Sequence, residues 1–263
     1  MHESPIINLG GFHLDLSVVL MLFVSSLIVF VLAIVATRNL SVENPGKLQN
    51  FMEWVVEFVQ GLISSTMDWK KGKAFVSLGM TLILFIFVSN LLGLPFSVVT
   101  EHHHADAKVF GQVIEATSTA HFSQLEAEGK EAHAELLWWK SPTADASVTM
   151  GLAIIIFILC HYLGLVKNTK GYFKHYVQPY VIFLPINLIE TLAKPLTHGM
   201  RLYANIYAGE VLITVLLGAG FWGIPGLVAW QGFSIFIGAI QAFVFTILTM
   251  VYIGQMIETH DEH

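Results

Sequence analysis

The residues best suited to chemistry lie in the run Asn-Leu-Ile-Glu-Thr-Leu-Ala-Lys-Pro-Leu-Thr-His-Gly-Met-Arg-Leu-Tyr-Ala-Asn-Ile-Tyr-Ala-Gly-Glu, from Asn187 to Glu210. Polar side chains within an apolar span are costly and usually functional. Here they are also ordered. With Glu190 at 0° and an advance of about 100° per residue, Lys194 falls at about 40°, Thr197 at about 340° and His198 at about 80°. On the same scale Arg201 falls at about 20° and Asn205 at about 60°, which completes one stripe. Glu210, at about 200°, faces the other way. Pro195 is expected to bend the helix. If the helix begins near Pro185, Arg201 lies about 24 Å along it, at membrane depth. A guanidinium does not deprotonate in proteins, so the positive charge is fixed. A central arginine costs about 3 kcal/mol on translocon scales. The last span offers it no carboxylate, so one from another subunit would be the simplest remedy. The alternative is that Arg201 snorkels to an interface while Glu190 and Lys194 form an ordinary i, i+4 pair near the inner surface.

The last apolar run carries its own polar positions. Measured from Ser234, Gln241 lies at about −20°, Tyr252 at about 0° and Thr249 at about 60°. Ser234, Gln241 and Tyr252 therefore share a face. That face either lines a wet path beside the arginine helix or serves as interhelical hydrogen bonding. Asn90 sits near the outer end of an earlier span.

The elements that must position these residues follow from hydropathy. The chain has 263 residues, 55% hydrophobic and 12% charged. That charge fraction is about half the soluble average, and a bilayer helix needs roughly 20 apolar residues. Spans are expected over 16–37, 75–96, 147–166, 180–217 and 228–256, with Gly218–Gly226 breaking the last two. Five basic residues between Arg38 and Lys73 make that segment cytoplasmic by the positive-inside rule, so the N-terminus is outside and the C-terminus inside. The third span leads back inside to Lys167, Lys170 and Lys174. Phe51, Trp54, Val55, Phe58 and Leu62 recur at helical spacing, which predicts a surface helix over 45–66, started by Asn44 and Pro45. The fold class is therefore all-α, a single polytopic membrane domain whose last two helices are long and tilted. Between Glu101 and Asp145 lie eight acidic residues, three lysines and five histidines, which suits a solvated external loop. His102, His103, His104, His121 and His133 lack tight ligand spacing, so no metal site is expected. The single cysteine, Cys160, reads as a small buried apolar residue. The net charge of −6 with no basic face argues against nucleic acid. The first apolar run lacks a basic leader and is expected to be retained.

The run from Pro195 to Glu210, with Gln241-Ala242-Phe243 on the last span, resembles the two signatures of the subunit a family of F-type ATP synthases. The resemblance covers nearly the whole chain in hydropathy order. It implies a stator subunit packed on a rotating ring of c subunits. It implies two proton half-channels and coupling of proton flow to rotation and ATP synthesis. Arg201 would match the ring-facing arginine, Asn205 and Gln241 its polar neighbours, and Glu210 the acid of an aqueous half-channel. Glu190 and Lys194 would be cytoplasmic half-channel residues. Partners would be the c-ring and b subunits of the Fo sector, the F1 sector indirectly, and the lipid of a bacterial plasma membrane. The ion would be H+, with Na+ as the alternative. The chain departs from many members at Tyr203 and Ala204, and some carry histidine where it has Ser234, so a proton role for that side chain does not transfer. His198 is expected to be a packed polar residue, with a pH-sensitive half-channel neighbour of Arg201 as the alternative. No nucleotide-binding loop or nucleophile constellation is present, so no cofactor and no activity of the chain alone are expected. The rival readings are a secondary transporter or solitary channel, which would predict internal repeats, and a membrane metalloenzyme, which would predict ligands at helical spacing inside the spans.

Overall fold

A computed structural model describes residues 4–9, 11–94, 98–103, 105–109, 111–127, 133–167, 169–177 and 180–257. The helices are α1 (Leu16–Thr37), α2 (Lys47–Thr66), the single turn α3 (Trp69–Gly72), α4 (Val76–Leu92), α5 (Thr119–Ala127), α6 (Ala146–Lys167), α7 (Thr169–Val177), α8 (Leu184–Gly218) and α9 (Ile224–Ile257). Five stretches are long and apolar enough to cross a membrane: Leu16–Thr37, Trp69–Leu92, Ala146–Lys167, Leu184–Gly218 and Gly220–Ile257. The chain is an all-α, multi-pass membrane protein, as its hydropathy predicts. His104, the outer end of the second expected span at Phe96, and the acidic tail 258–263 lie outside the described residues.

Contacts divide the chain into two units, Met1–Leu27 with Ser89–Pro142, and Ile28–Val88 with Thr143–His263. The second unit carries the candidate chemistry. Its core gathers Val59 and Ile63 of α2, Ile86 of α4, Leu202 of α8, and Met250 and Ile253 of α9, all within 1% of full burial. The second span begins earlier than expected because α3, a 3-10 turn at Lys73–Phe75 and α4 follow one another without a break. Asp68 starts α3, its carboxylate accepting from the Lys70 amide at 2.7 Å.

The surface helix differs in two respects. Asn44 does not cap α2: the cap is Gly46, and the Asn44 amide donates to the Ser41 hydroxyl instead. The face turned to the core is Val55, Val59, Leu62 and Ile63, whereas Phe51 and Trp54 are exposed. Phe51, Trp54 and Phe58 form an aromatic row that continues to Phe243 of α9, with ring centroids 6.4, 5.8 and 5.9 Å apart in turn. The helix thus buries one side against the protein and leaves an aromatic edge open.

Helix α8 has 35 residues. At about 1.5 Å per residue it is about 52 Å long, against a hydrocarbon layer of about 30 Å. It must therefore tilt steeply or project from the layer. The expected bend at Pro195 does not interrupt it. The turn to α9 is the 3-10 segment Gly220–Gly223. Gly220 has a φ of +60°, and a Cβ on Gly223 would overlap the Leu216 carbonyl oxygen, so both glycines are needed there.

The first unit is more ordered than a polar tail and a solvated loop. Strands β1 (Ile6–Leu9) and β2 (Phe12–Asp15) form an antiparallel hairpin. Strand β3 (Val99–His102) pairs with β6 (Ala134–Leu137), and β4 (Lys108–Val109) with β5 (Gln112–Val113). Ile7, Ile114, Ala116 and Leu136 make a small core between them. Lys140 donates to the Asp15 carboxylate at 2.6 Å, with both side chains about 15% exposed, and also to Ser4 at 2.8 Å.

Candidate functional site

Helix α8 turns one face to its neighbours. Thr191, His198, Gly199 and Leu202 are buried on it, centred at about 120° on the scale that puts Glu190 at 0°. The polar stripe therefore lies along the edge of the buried face, half in contact and half open. Glu190 is exposed, while the Lys194 side chain is 19% exposed, and the two pair at 3.6 Å. Lys194 also stands 5.8 Å from the Tyr252 ring centroid.

His198 is packed, as expected. It is 4% exposed, with its ring 3.8 Å from that of Phe245 and 5.7 Å from that of Tyr252. Its Nε2 lies 3.4 Å from the Thr249 hydroxyl oxygen, and that hydroxyl donates to the Phe245 carbonyl at 2.9 Å. The hydroxyl proton is thus committed, so Nε2–H of His198 is the donor to Thr249.

Gly199 lets α6 approach. A Cβ there would lie 2.6 Å from the Met150 sulfur and 3.1 Å from both the Met150 Cα and the Thr149 carbonyl oxygen. Two residues on, Arg201 is exposed, and among the described residues it has no carboxylate partner. From Leu184 it is 17 residues, about 26 Å, into the helix.

Beyond Arg201, the Asn205 Nδ2 is buried with no hydrogen-bond partner. One turn further, Gly209 faces Trp230 of α9: a Cβ there would meet the indole at 3.6 Å. The Trp230 Nε1–H is likewise buried without a partner. Glu210 is exposed and off the buried face, and its carbonyl accepts from the Thr214 hydroxyl at 3.0 Å.

On α9 the buried face runs through Gly238, Ala242, Phe245, Thr249 and Ile253. Ser234, Gln241 and Tyr252 are half-buried and flank it, so the two polar stripes border the same α8–α9 contact. The structure thus brings Lys194, His198, Arg201 and Tyr252 together. Asn90 belongs to the first unit, where it is 6% exposed.

Three residues of this region escaped sequence reasoning. His161 of α6 holds the Phe157 carbonyl through Nδ1 at 2.8 Å, and its Nε2 is 3.1 Å from the Tyr176 hydroxyl. Tyr176 and Tyr172 of α7 have their hydroxyls 3.4 Å apart. The signal was available: His161 is a polar residue inside an uncharged run. Among the described residues, no group of three or more His, Cys, Asp or Glu is placed to hold a metal ion.

Residues 19–254 match the model of the ATP synthase A chain family. The chain belongs to this family. It is 45% identical to ATP synthase subunit a of Staphylococcus carnosus, over 100% of this chain and 99% of that one. It is 43% identical to the subunit a of Priestia megaterium, over 98% of each. It is 46% identical to that of Anoxybacillus flavithermus, over 99% of each. Membership fits a geometry in which α8 carries an arginine with no carboxylate partner among the described residues. As a family member it serves the Fo sector of ATP synthase, and the orphan charge sits on the part of the chain that the family model spans.

Proposed function

We propose that this chain is the stator channel of the Fo sector, giving two offset proton half-channels to a ring of c subunits and coupling proton flow to ring rotation. The carrying observation is Arg201: a permanent charge about 26 Å along an apolar helix, exposed, with no carboxylate partner among the described residues. A carboxylate on each c subunit is the complement such a charge requires.

The electrostatics give a cycle. A ring carboxylate takes a proton from one half-channel and crosses the lipid neutral. On reaching Arg201 it loses the proton, because the nearby cation lowers its pKa. Arg201 also repels protons and so separates the two half-channels. Asn205 and Gln241 border the same helix contact, and Glu210 serves the half-channel on the side away from Arg201. Each proton crossing 100 mV releases about 2.3 kcal/mol. Without a nucleotide site the chain has no activity alone; it works with the c-ring and b subunits and, through them, with F1. We place the N-terminus outside and the C-terminus in the cytoplasm, following the lysines and arginine between Arg38 and Lys73.

The test is ATP-driven proton pumping by the whole complex in vesicles, wild type against Arg201→Ala. Pumping should vanish while the complex still assembles. Pumping near the wild-type rate would overturn the mechanism.

A further inference from the structure

Two neighbouring residues hold α8 from two sides at one level. The ring of His198 sits among Phe245, Thr249 and Tyr252 of α9, which stand at i, i+4 and i+7 and so share a face of that helix. Gly199, the next residue, lies against Met150 and the Thr149 carbonyl of α6. Successive residues point about 100° apart, so the two contacts together fix the roll of α8. Arg201 follows three residues after His198, about 4.5 Å further along and about 60° round, on the open edge. Resting on the function proposed above, we infer that His198 is a positioning residue, which locks the roll of α8 through its bond to Thr249 and thereby fixes where Arg201 meets the carboxylates of the c-ring.

The reason lies in the difference between apolar and polar contacts. A side chain at the rim of a helix lies about 6 Å from the axis, so a roll of about 20° carries it about 2 Å. Apolar burial is non-directional and does not choose among nearby rolls. A hydrogen bond does, because it weakens steeply with distance and angle. The His198 Nε2–H donates to Thr249 at 3.4 Å, near the outer limit, so a roll that widens the gap breaks it. The donor would then be buried and unmet, which costs free energy. The acceptor has a fixed place on α9, since the Thr249 hydroxyl is itself tied to the Phe245 carbonyl at 2.9 Å. Phe245, with ring centroids 3.8 Å apart, and Tyr252, edge-on at 5.7 Å, keep the imidazole from turning away. Reacting groups tolerate little displacement: a misplacement of about 1 Å can cost about a hundredfold in rate. A displaced guanidinium would neither draw the proton from a c-ring carboxylate at the right step nor block passage between the half-channels. Rotation driven by ATP would then continue with fewer protons carried per ATP.

The experiment uses the whole complex, purified intact and reconstituted into vesicles, and reads protons pumped per ATP hydrolysed. A role confined to folding or assembly changes the yield of intact complex but not that ratio. His198→Leu keeps the bulk and removes the donor, and the Thr249 hydroxyl still has the Phe245 carbonyl. The ratio should fall about threefold, short of the hundredfold limit because Gly199 still seats α8 on α6. Thr249→Val, which removes the acceptor at constant shape, should give the same fall and serves if His198→Leu assembles poorly. His198→Gln, whose amide nitrogen reaches as far as Nε2, should restore the ratio. The double variant His198→Leu with Thr249→Val should be no worse than the worse single, as two halves of one contact must be. A wild-type ratio in both single variants would overturn the inference. So would a double variant whose loss is the product of the two singles, or a His198→Gln ratio no better than that of His198→Leu. If Arg201→Ala is dead in these vesicles while the His198 and Thr249 variants are silent, only this inference falls. If Arg201→Ala pumps near the wild-type rate, the function proposed above falls and takes this inference with it.

Discussion

Gly199 and Arg201 stand two residues apart and show how packing sets a charge. Gly199 lies against Met150 and the Thr149 carbonyl, so α6 closes on α8 at that level. The sulfur can swing aside, but the backbone atoms 3.1 Å from a new Cβ cannot. Gly199→Val is expected to destabilise the α6–α8 contact by about 1–3 kcal/mol, the range for overpacking. Loss of thermal stability of the purified complex in detergent checks it. In the first unit the decisive residue is Asp15. Burial alone would raise its carboxyl, but Lys140 and the Ser17 and Ser4 hydroxyls outweigh this and hold it below the ordinary 3.8. A folded value below the unfolded one means the contact stabilises fully above about 3.8 and is lost as pH falls through the lower folded value. Lys140→Met would leave the carboxylate poorly paired, at a cost of about 1–3 kcal/mol. Amide exchange at Ile7 and Leu136 should then be faster than in wild type at neutral pH, and the difference should shrink as pH falls below about 3.8, where the wild-type contact is itself lost.

Among elements, the α8–α9 hairpin has the narrowest tolerance. Its turn depends on Gly220 with φ +60° and on Gly223 pressed against the Leu216 carbonyl. Gly223→Val should prevent the turn and reduce the assembled complex in membranes severely, measured by the yield of intact complex after detergent extraction. Helix α2 rests on Val59 and Ile63, both fully buried. Ile63→Ala is expected to cost about 2–5 kcal/mol through the cavity it leaves. A drop in the midpoint of thermal unfolding checks this.

Across the whole molecule, the exposed apolar faces divide the labour. Helix α1 is apolar nearly all round, with Phe23, Phe30, Val31 and Val35 exposed, as lipid contact demands. Helix α8 is exposed at Ile186, Ile189, Leu196 and Met200 beside the open edge that carries Arg201. If that edge meets the ring as proposed, a cysteine at exposed Ala204 should cross-link to a cysteine on a c subunit, and one at Leu202, 1% exposed, should not. The comparison of cross-linked products on a denaturing gel decides it.

The sequence by itself determined the spans, the fold class and the polar stripe, because hydropathy and the 3.6-residue period are local properties that any bilayer helix must obey. It also marked His198 as a packed residue. It did not determine which face of α2 is buried, since Trp54 and Val59 are both apolar and only the position of α9 chooses between them. It did not find the strands of the first unit, whose pairs are four residues or fewer and join Val99–His102 to Ala134–Leu137 across a long interval. Nor did it assemble His161, Lys194 and Tyr252 around one cleft, with Tyr176 hydrogen-bonded to His161 from a fourth helix. Those residues come from four helices, and their proximity depends on how close the backbones pack, which Gly199 permits and no local pattern encodes.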